Sequence, residues 1–171
     1  MTGFNPPRTT VDWLSTAIGL AAAAHAGQVD GQGKPFILHP LGVMRRLAEK
    51  GYDLELQICG VLHDTLEDTW VTYELLKQIG FSKRITDTVL RLSRNADNCN
   101  YEMYIELICT MPDAMIVKLA DLEDNLDPAR YSPVVDGLRE KYEKAAKRLI
   151  AAATPNWGGL LSSLNQPKSS T

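Results

Sequence analysis

The chain has 171 residues, enough for one domain with a real core, and its 44% hydrophobic and 23% charged residues are ordinary for a globular protein. A net charge of −3 with no run of Lys or Arg provides no electrostatic footprint for nucleic acid. The three cysteines, Cys59, Cys99 and Cys109, lack C-x-x-C spacing, which argues against a disulfide framework or a zinc–thiolate site and fits a reducing compartment.

In chain order, Met1 to Arg8 holds two prolines and a glycine and reads as a loose arm. Thr9 or Thr10 caps a helix from Val11 to about His25, with Trp13, Ile18 and Leu20 among its apolar positions. Its Ala-rich stretch, Ala17 to Ala24, could suggest a signal segment but is not expected to be one: no compact basic region precedes it, and His25-Ala26-Gly27-Gln28 is a poor cleavage site. No apolar run reaches membrane-spanning length, so neither a membrane nor a nucleic acid is an expected partner, and the cytoplasm is the expected location. Gly27 to Lys34 is a Gly-rich loop. Pro40 opens a second helix that runs to about Lys50 and stops at Gly51.

Asp53 caps the next helix, which carries Gly60-Val-Leu-His-Asp-Thr-Leu-Glu-Asp-Thr69. Thr72 to Ile79 and Ser82 to Leu92 are two more helices, the second with Ile85, Val89 and Leu92 at spacings of four and three. A polar loop from Ser93 to Asn100 follows. Tyr101, Tyr104, Ile105, Ile108 and Met111 share a helix face. Pro112-Asp113 begins a helix through Ile116, Val117 and Asp121, with a short strand over Met115 to Leu119 as the minor alternative. Pro133 opens a last helix to about Ala153. From Thr154 the chain is rich in Gly, Ser, Asn and Pro and reads as a tail. The pattern predicts an all-α protein, a single helical bundle over 11–153 between an arm at 1–10 and a tail at 154–171.

The chemistry concentrates in His63, Asp64, Glu67 and Asp68. On a helix, His63 and Glu67, Asp64 and Asp68, and Asp64 and Glu67 share one stripe. The apolar lead-in Ile58-Cys59-Gly60-Val61-Leu62 draws that stripe inward. Three acids and an imidazole resist burial unless a cation offsets them; the plain alternative is a solvated acidic face. His39, behind Phe36-Ile37-Leu38, and Asp121, behind Ala114-Met115-Ile116-Val117, are further polar groups leaving apolar runs. Together His39, His63, Asp64 and Asp121 make a mixed N/O set suited to a first-row divalent ion. Such an ion activates water and polarises a phosphoryl group. Glu67 and Asp68 are then candidates for acid/base work, and Asn125 for a hydrogen bond to a substrate oxygen.

The order His39, then His63-Asp64, then Asp121 resembles that of the HD-domain metal-dependent phosphohydrolases. H-x-G-Q-(x10)-H-P over His25 to Pro40, then L-H-D-x-x-E-D-T and K-L-A-D-x-x-x-N, is similar to one branch: the hydrolase domain of RelA/SpoT proteins and the small alarmone hydrolases. The resemblance covers roughly Ala21 to Leu149. It implies a helical HD-domain fold and Mn²⁺ on His39, His63, Asp64 and Asp121. It also implies Glu67 and Asp68 as catalytic acids, Asn125 in the nucleotide pocket, and hydrolytic removal of the 3′-pyrophosphate from (p)ppGpp. His25 belongs to the pattern but not to the ligand set and is read as structural.

Two stretches depart from the family pattern. Asp30 and Gly31 stand where a basic pair helps hold the guanine nucleotide, and Lys34 where an acid follows, so Asp30 and Lys34 are expected to influence substrate choice. Leu122-Glu123-Asp124 replaces a segment that tends to read R-L-H. Arg94, Lys118 and Arg130 are candidates to restore positive charge. These departures leave open another nucleotide substrate, such as a nucleoside triphosphate, a monophosphate or an NADPH-like dinucleotide, or a metal-binding regulatory domain without turnover.

Overall fold

The computed structural model describes residues 9–94, 100–128 and 136–153. Among them are nine helices: α1 (Thr10–Ala24), α2 (Leu38–Glu49), α3 (Leu54–Leu62), α4 (Thr65–Asp68), α5 (Tyr73–Ile79), α6 (Lys83–Leu92), α7 (Tyr101–Ile108), α8 (Pro112–Asn125) and α9 (Asp136–Ala153). The only β pairing among the described residues is an isolated bridge between Val29 and Pro35. Met115 to Leu119 is helical. No described helix is long and apolar enough to cross a membrane. Most of the expected arm and all of the expected tail, together with Cys99, Arg130 and Pro133, lie outside the described residues.

Helix starts follow short polar side chains. Thr9 and Asp12 form a capping box at α1, each side chain satisfying the other's backbone N–H. Asp53, Thr72, Ser82 and Asn100 accept from the third backbone N–H of α3, α5, α6 and α7. Thr10 is the first residue of α1, so the helix takes in the end of the expected arm.

Helix α3 is the centre of the bundle, packed against α1, α2, α6 and α8. Leu56, Ile58, Cys59, Val61 and Leu62 are all buried, as expected of a helix packed on several sides whose polar residues, Glu55 and Gln57, are confined to its first half. Two features let its neighbours approach. Ala17, Ala21 and Ala24 form a buried small-residue edge on α1. Gly60 lies under α2, where an added Cβ would come within 2.7 Å of Leu47 Cδ1 and 3.3 Å of Val43 Cγ1. The close α2–α3 contact sets the spacing between His39, in the first turn of α2, and His63, at the end of α3.

The segment that carries the chemistry differs from the sequence expectation. LHDTLEDT is not a single helix: α3 ends at Leu62, His63 and Asp64 form a turn, and α4 is only four residues long. The backbone stays right-handed through the turn, and the Asp68 N–H still reaches the Asp64 carbonyl at 2.9 Å. The break coincides with side chains that bond the backbone in place of the regular ladder. His63 Nδ1 donates to the Gly60 carbonyl at 2.9 Å, and Thr65 Oγ1 donates to the Leu62 carbonyl at 2.7 Å. Met111 also differs, standing at the N-cap of α8 beyond the end of α7.

The cap at α3 generates a stability prediction. Asp53 accepts from the Leu56 N–H at 2.9 Å and from Arg84 at 2.8 Å. Burial alone would raise its pKa, but these bonds and the Arg84 charge hold it below the ordinary carboxylate value. Asp53→Ala should cost about 1 kcal/mol, a drop of roughly 2–4 °C in Tm. Because the folded-state pKa is depressed, the Asp53 contribution is complete above the unfolded carboxylate pKa and is lost as pH falls through the folded one. Thermal melts of wild type and variant at neutral pH and at about pH 3 check this; a Tm gap that does not shrink on acidification contradicts it.

Candidate metal centre

Helices α2, α3 and α8 bring His39, His63, Asp64 and Asp121 together. His39 and His63 are buried, Asp121 is 2% exposed, and Asp64 is half-buried at the edge. Among the described residues, His39, His63 and Asp64 each offer one ligand atom within 4.8 Å of the others. Asp121 completes the cluster, with Oδ1 3.0 Å from His39 Nε2 and 3.7 Å from His63 Nε2. Asp64 Oδ2 lies 3.1 Å from His63 Nε2 and 3.6 Å from His39 Nε2.

The far nitrogens of both rings are already committed. His63 Nδ1 faces the Gly60 carbonyl, and His39 Nδ1 faces Asp124 Oδ2 at 2.8 Å. A proton on each Nδ1 leaves each Nε2 with a lone pair turned towards the two carboxylates. His63 Nε2 is buried and makes no hydrogen bond. Lone pairs facing carboxylate oxygens at this range require a positive charge between them, either a proton or a metal ion. Two imidazoles and two carboxylates suit a divalent transition metal, so the donor set fits such an ion.

The electrostatics follow from this crowding. Burial lowers the pKa of His63, but Asp64 and Asp121 outweigh it and push the value up to about 10. Burial also opposes the charged form of His39, whose pKa is nonetheless raised by its bonds to Asp121 and Asp124. Asp121 is held well below the carboxylate range despite its burial, first by the Lys118 charge and then by the two imidazoles. Lys118 Nζ reaches Asp121 Oδ2 at 2.6 Å, and Asn125 Nδ2 donates to Asp121 Oδ1 at 2.6 Å.

His39, Asp64 and Asp121 of the cluster line a cleft of about 280 Å³. Glu67, Asp68 and Asn125 line it, as do Arg94, Lys118, Lys141, Tyr101, Tyr104 and Tyr142. Glu67 Oε2 accepts from the Arg94 backbone N–H at 2.8 Å, which ties α4 to the end of α6. Asp68 has its pKa raised by partial burial and then by the nearby charges of Asp64 and Glu67. Its carbonyl accepts from Gln28, whose side chain also meets His25 Nδ1 at 2.8 Å. His25 therefore braces the loop that carries Gln28, beside the ring of Phe36.

The substrate-reading residues expected from the sequence divide differently. Asp30 and Lys34 do not line the cleft. Asp30 Oδ1 accepts from the Gln32 and Lys34 backbone N–H groups at 2.9 and 3.0 Å, an internal brace for its own turn. Leu122 is in the core, Glu123 pairs with Lys50 on the outside, and Asp124 lies behind His39. Among the described residues, the positive charge in the cleft comes from Arg94, Lys118 and Lys141. Lys141 of α9 was not anticipated; its Nζ sits 4.0 Å above the Tyr101 ring, and its pKa is lowered by partial burial and by Arg94 and Lys118. No sequence signal points to it, because α9 carries three lysines, Lys141, Lys144 and Lys147, and only packing selects the one that faces the cleft. The pairing of Asp124 with His39 was also missed, although Asp124 stands one turn from Asp121.

Comparison with known proteins agrees with this architecture. An HD domain profile matches residues 17–126. The chain belongs to the HD domain family. It is 35% identical over 120 residues to a guanosine-3′,5′-bis(diphosphate) 3′-pyrophosphohydrolase of Aquifex aeolicus, covering 66% of this chain and 17% of that protein. It is 32% identical over 159 residues to the bifunctional (p)ppGpp synthase/hydrolase SpoT of Escherichia coli, covering 84% and 22%. This HD domain chain thus spans about a fifth of the length of the curated relatives it matches. Among solved structures, a metazoan ortholog of SpoT described as hydrolysing ppGpp superposes with a TM-score of 0.73, at 22% identity and 95% coverage of both chains. The fold is shared over nearly the whole length.

The Asp121–Lys118 contact yields a test of the buried electrostatics. Removing one member of a buried pair leaves the other uncompensated, at about 3–5 kcal/mol. Asp121→Asn and Lys118→Met should each be strongly destabilising in urea melts, whereas the double variant should lose distinctly less than their sum. Strict additivity would mean the two side chains do not interact energetically.

Proposed function

We propose that this HD domain is a divalent-metal-dependent nucleotide phosphohydrolase that removes the 3′-pyrophosphate of (p)ppGpp or of a close analogue. The observation that carries the reading is the pairing, in one cleft, of a His/Asp cluster suited to a metal with three cationic side chains, Arg94, Lys118 and Lys141. A phosphorylated nucleotide is the ligand class that needs both. The names of the relatives favour the guanosine substrate.

In this reading His39, His63, Asp64 and Asp121 hold the ion, with Mn²⁺ the favoured identity. The ion supplies Lewis acidity towards water and a phosphoryl oxygen. Glu67, anchored by the Arg94 N–H, orients the attacking water and accepts its proton. Asp68 lines the same cleft and is suited to protonating the leaving oxygen. Lys141 and Arg94 receive the phosphate charge, and Asn125 borders the nucleotide. Two unpaired cysteines, Cys59 and Cys109, accord with a cytoplasmic setting.

Four measurements test the proposal. Manganese-loaded protein should release pyrophosphate from (p)ppGpp, and Glu67→Gln and Asp68→Asn should each lower kcat about 10²–10⁴-fold with unchanged helical content. A competition panel with a nucleoside triphosphate, a monophosphate and NADPH identifies the substrate. Turnover of another member instead of (p)ppGpp would change the assignment, and no turnover of any would favour a regulatory domain. Metal binding should raise Tm, and chelation should reverse that gain. Because His63 and His39 carry raised pKa values, the ion must displace protons from them. Affinity should therefore fall as pH is lowered, with proton uptake on metal removal. Calorimetry in buffers of different ionisation enthalpy reads both, and a pH-independent affinity would contradict these ligands.

A further inference from the structure

The two imidazoles of the cluster are oriented by different means. His63 Nδ1 donates to the Gly60 carbonyl, three residues back in its own chain segment. His39 Nδ1 faces Asp124 Oδ2 at 2.8 Å, across 85 positions of sequence and between two helices. The Asp124 carboxylate is buried and held from its other side: Arg46 Nε donates to Oδ1 at 3.1 Å, and the same guanidinium bonds Asp127. Arg46 shares α2 with His39, while Asp124 shares α8 with Asp121, one turn from it. Gly42 of α2 supplies the space, since a Cβ there would lie 2.4 Å from Asp124 Oδ1. Gly42 is an ordinary helical residue and has no positive φ, so its role is room alone.

We propose that Asp124, clamped by Arg46 over Gly42, is a positioning residue for the metal centre. It fixes His39 as the Nδ1–H tautomer and sets the α2–α8 spacing that places His39 Nε2 beside Asp121. A carboxylate behind a ligating imidazole selects the tautomer, orients the ring and makes the free nitrogen more basic. An amide cannot replace it. Arg46 and His39 both donate to the same carboxylate, one to each oxygen. An asparagine offers one oxygen and one NH₂, so either Arg46 or His39 must face a donor. If His39 does, the ring proton moves to Nε2, the position the ion needs. Truncating such an outer-shell partner typically costs 10–100-fold in metal affinity.

The inference rests on the metal reading above and concerns residues outside its ligand set. Asp124→Asn should lower Mn²⁺ affinity by about 10–100-fold in calorimetric titration, with helical circular dichroism retained. Gly42→Ala keeps every charge but drives a methyl into the carboxylate, and it should weaken binding in the same direction. In the zinc-loaded full chain, long-range ¹H–¹⁵N spectra should show the His39 proton on Nδ1 in wild type. That signature should be lost or broadened in both variants, while the His63 signals stay in place. Wild-type metal affinity and an unaltered His39 tautomer in whichever of the two variants folds would overturn the inference while leaving the metal site standing. A wild-type protein that takes up no divalent ion would sink the metal reading and this inference together.

Discussion

A single carboxylate, Asp121, is the constraint around which the interior of this protein is arranged. It is almost fully buried in the middle of α8, where an unpartnered charge would cost several kcal/mol. Lys118 meets one oxygen; Asn125 and His39 meet the other, and His63 approaches it. Each partner in turn fixes something larger. His39 draws the start of α2 onto α8, and His63 draws in the end of α3. Lys118, one turn before Asp121, lies near the face of Tyr104 and links the cluster to α7. The bundle therefore closes at its polar centre as well as through its hydrophobic core, and the cleft opens where those helices converge.

The same arrangement separates opposite charges within a short distance. The floor of the cleft is acidic and imidazole-bearing, while Arg94, Lys118 and Lys141 form a cationic wall. Lys118 belongs to both, since its ammonium compensates Asp121 while bordering the open space. Partial burial and, after it, repulsion from Arg94 and Lys118 lower the pKa of Lys141. An anionic group entering the cleft would relieve that repulsion, which is the electrostatic condition for receiving phosphate.

The departures from the RelA/SpoT pattern acquire a physical account once their places are known. Asp30 braces the Gly-rich turn through backbone N–H groups, and Glu123 is an outer-surface partner of Lys50. Leu122 fills the core, and Asp124 stands behind a histidine with Arg46 as its counter-charge. None of them lines the cleft. In three dimensions Asp30, Glu123 and Asp124 each make bracing contacts: to a turn backbone, to Lys50, and to His39 and Arg46.

Most of the local structure is legible along the chain: helices from 3.6-residue periodicity, and starts at Thr9 or Thr10, at Asp53 and at the Pro112 turn. Those signals act within a few residues, so they survive without knowledge of the fold. The sequence also exposed the polar residues leaving apolar runs, His39, His63-Asp64 and Asp121, because burying such groups is costly enough to demand a reason. Tertiary structure alone decided what depends on packing between distant segments. The turn at His63-Asp64 is a local exception: it goes with His63 and Thr65 bonding carbonyls three residues back, which helical periodicity does not register. Only helix packing could choose Lys141 from the lysines of α9, and only the α2–α8 contact could bring Asp124 to His39, 85 residues away. Hydrogen bonds and charges act over a few ångströms, and the sequence does not state which distant residues will come within that range.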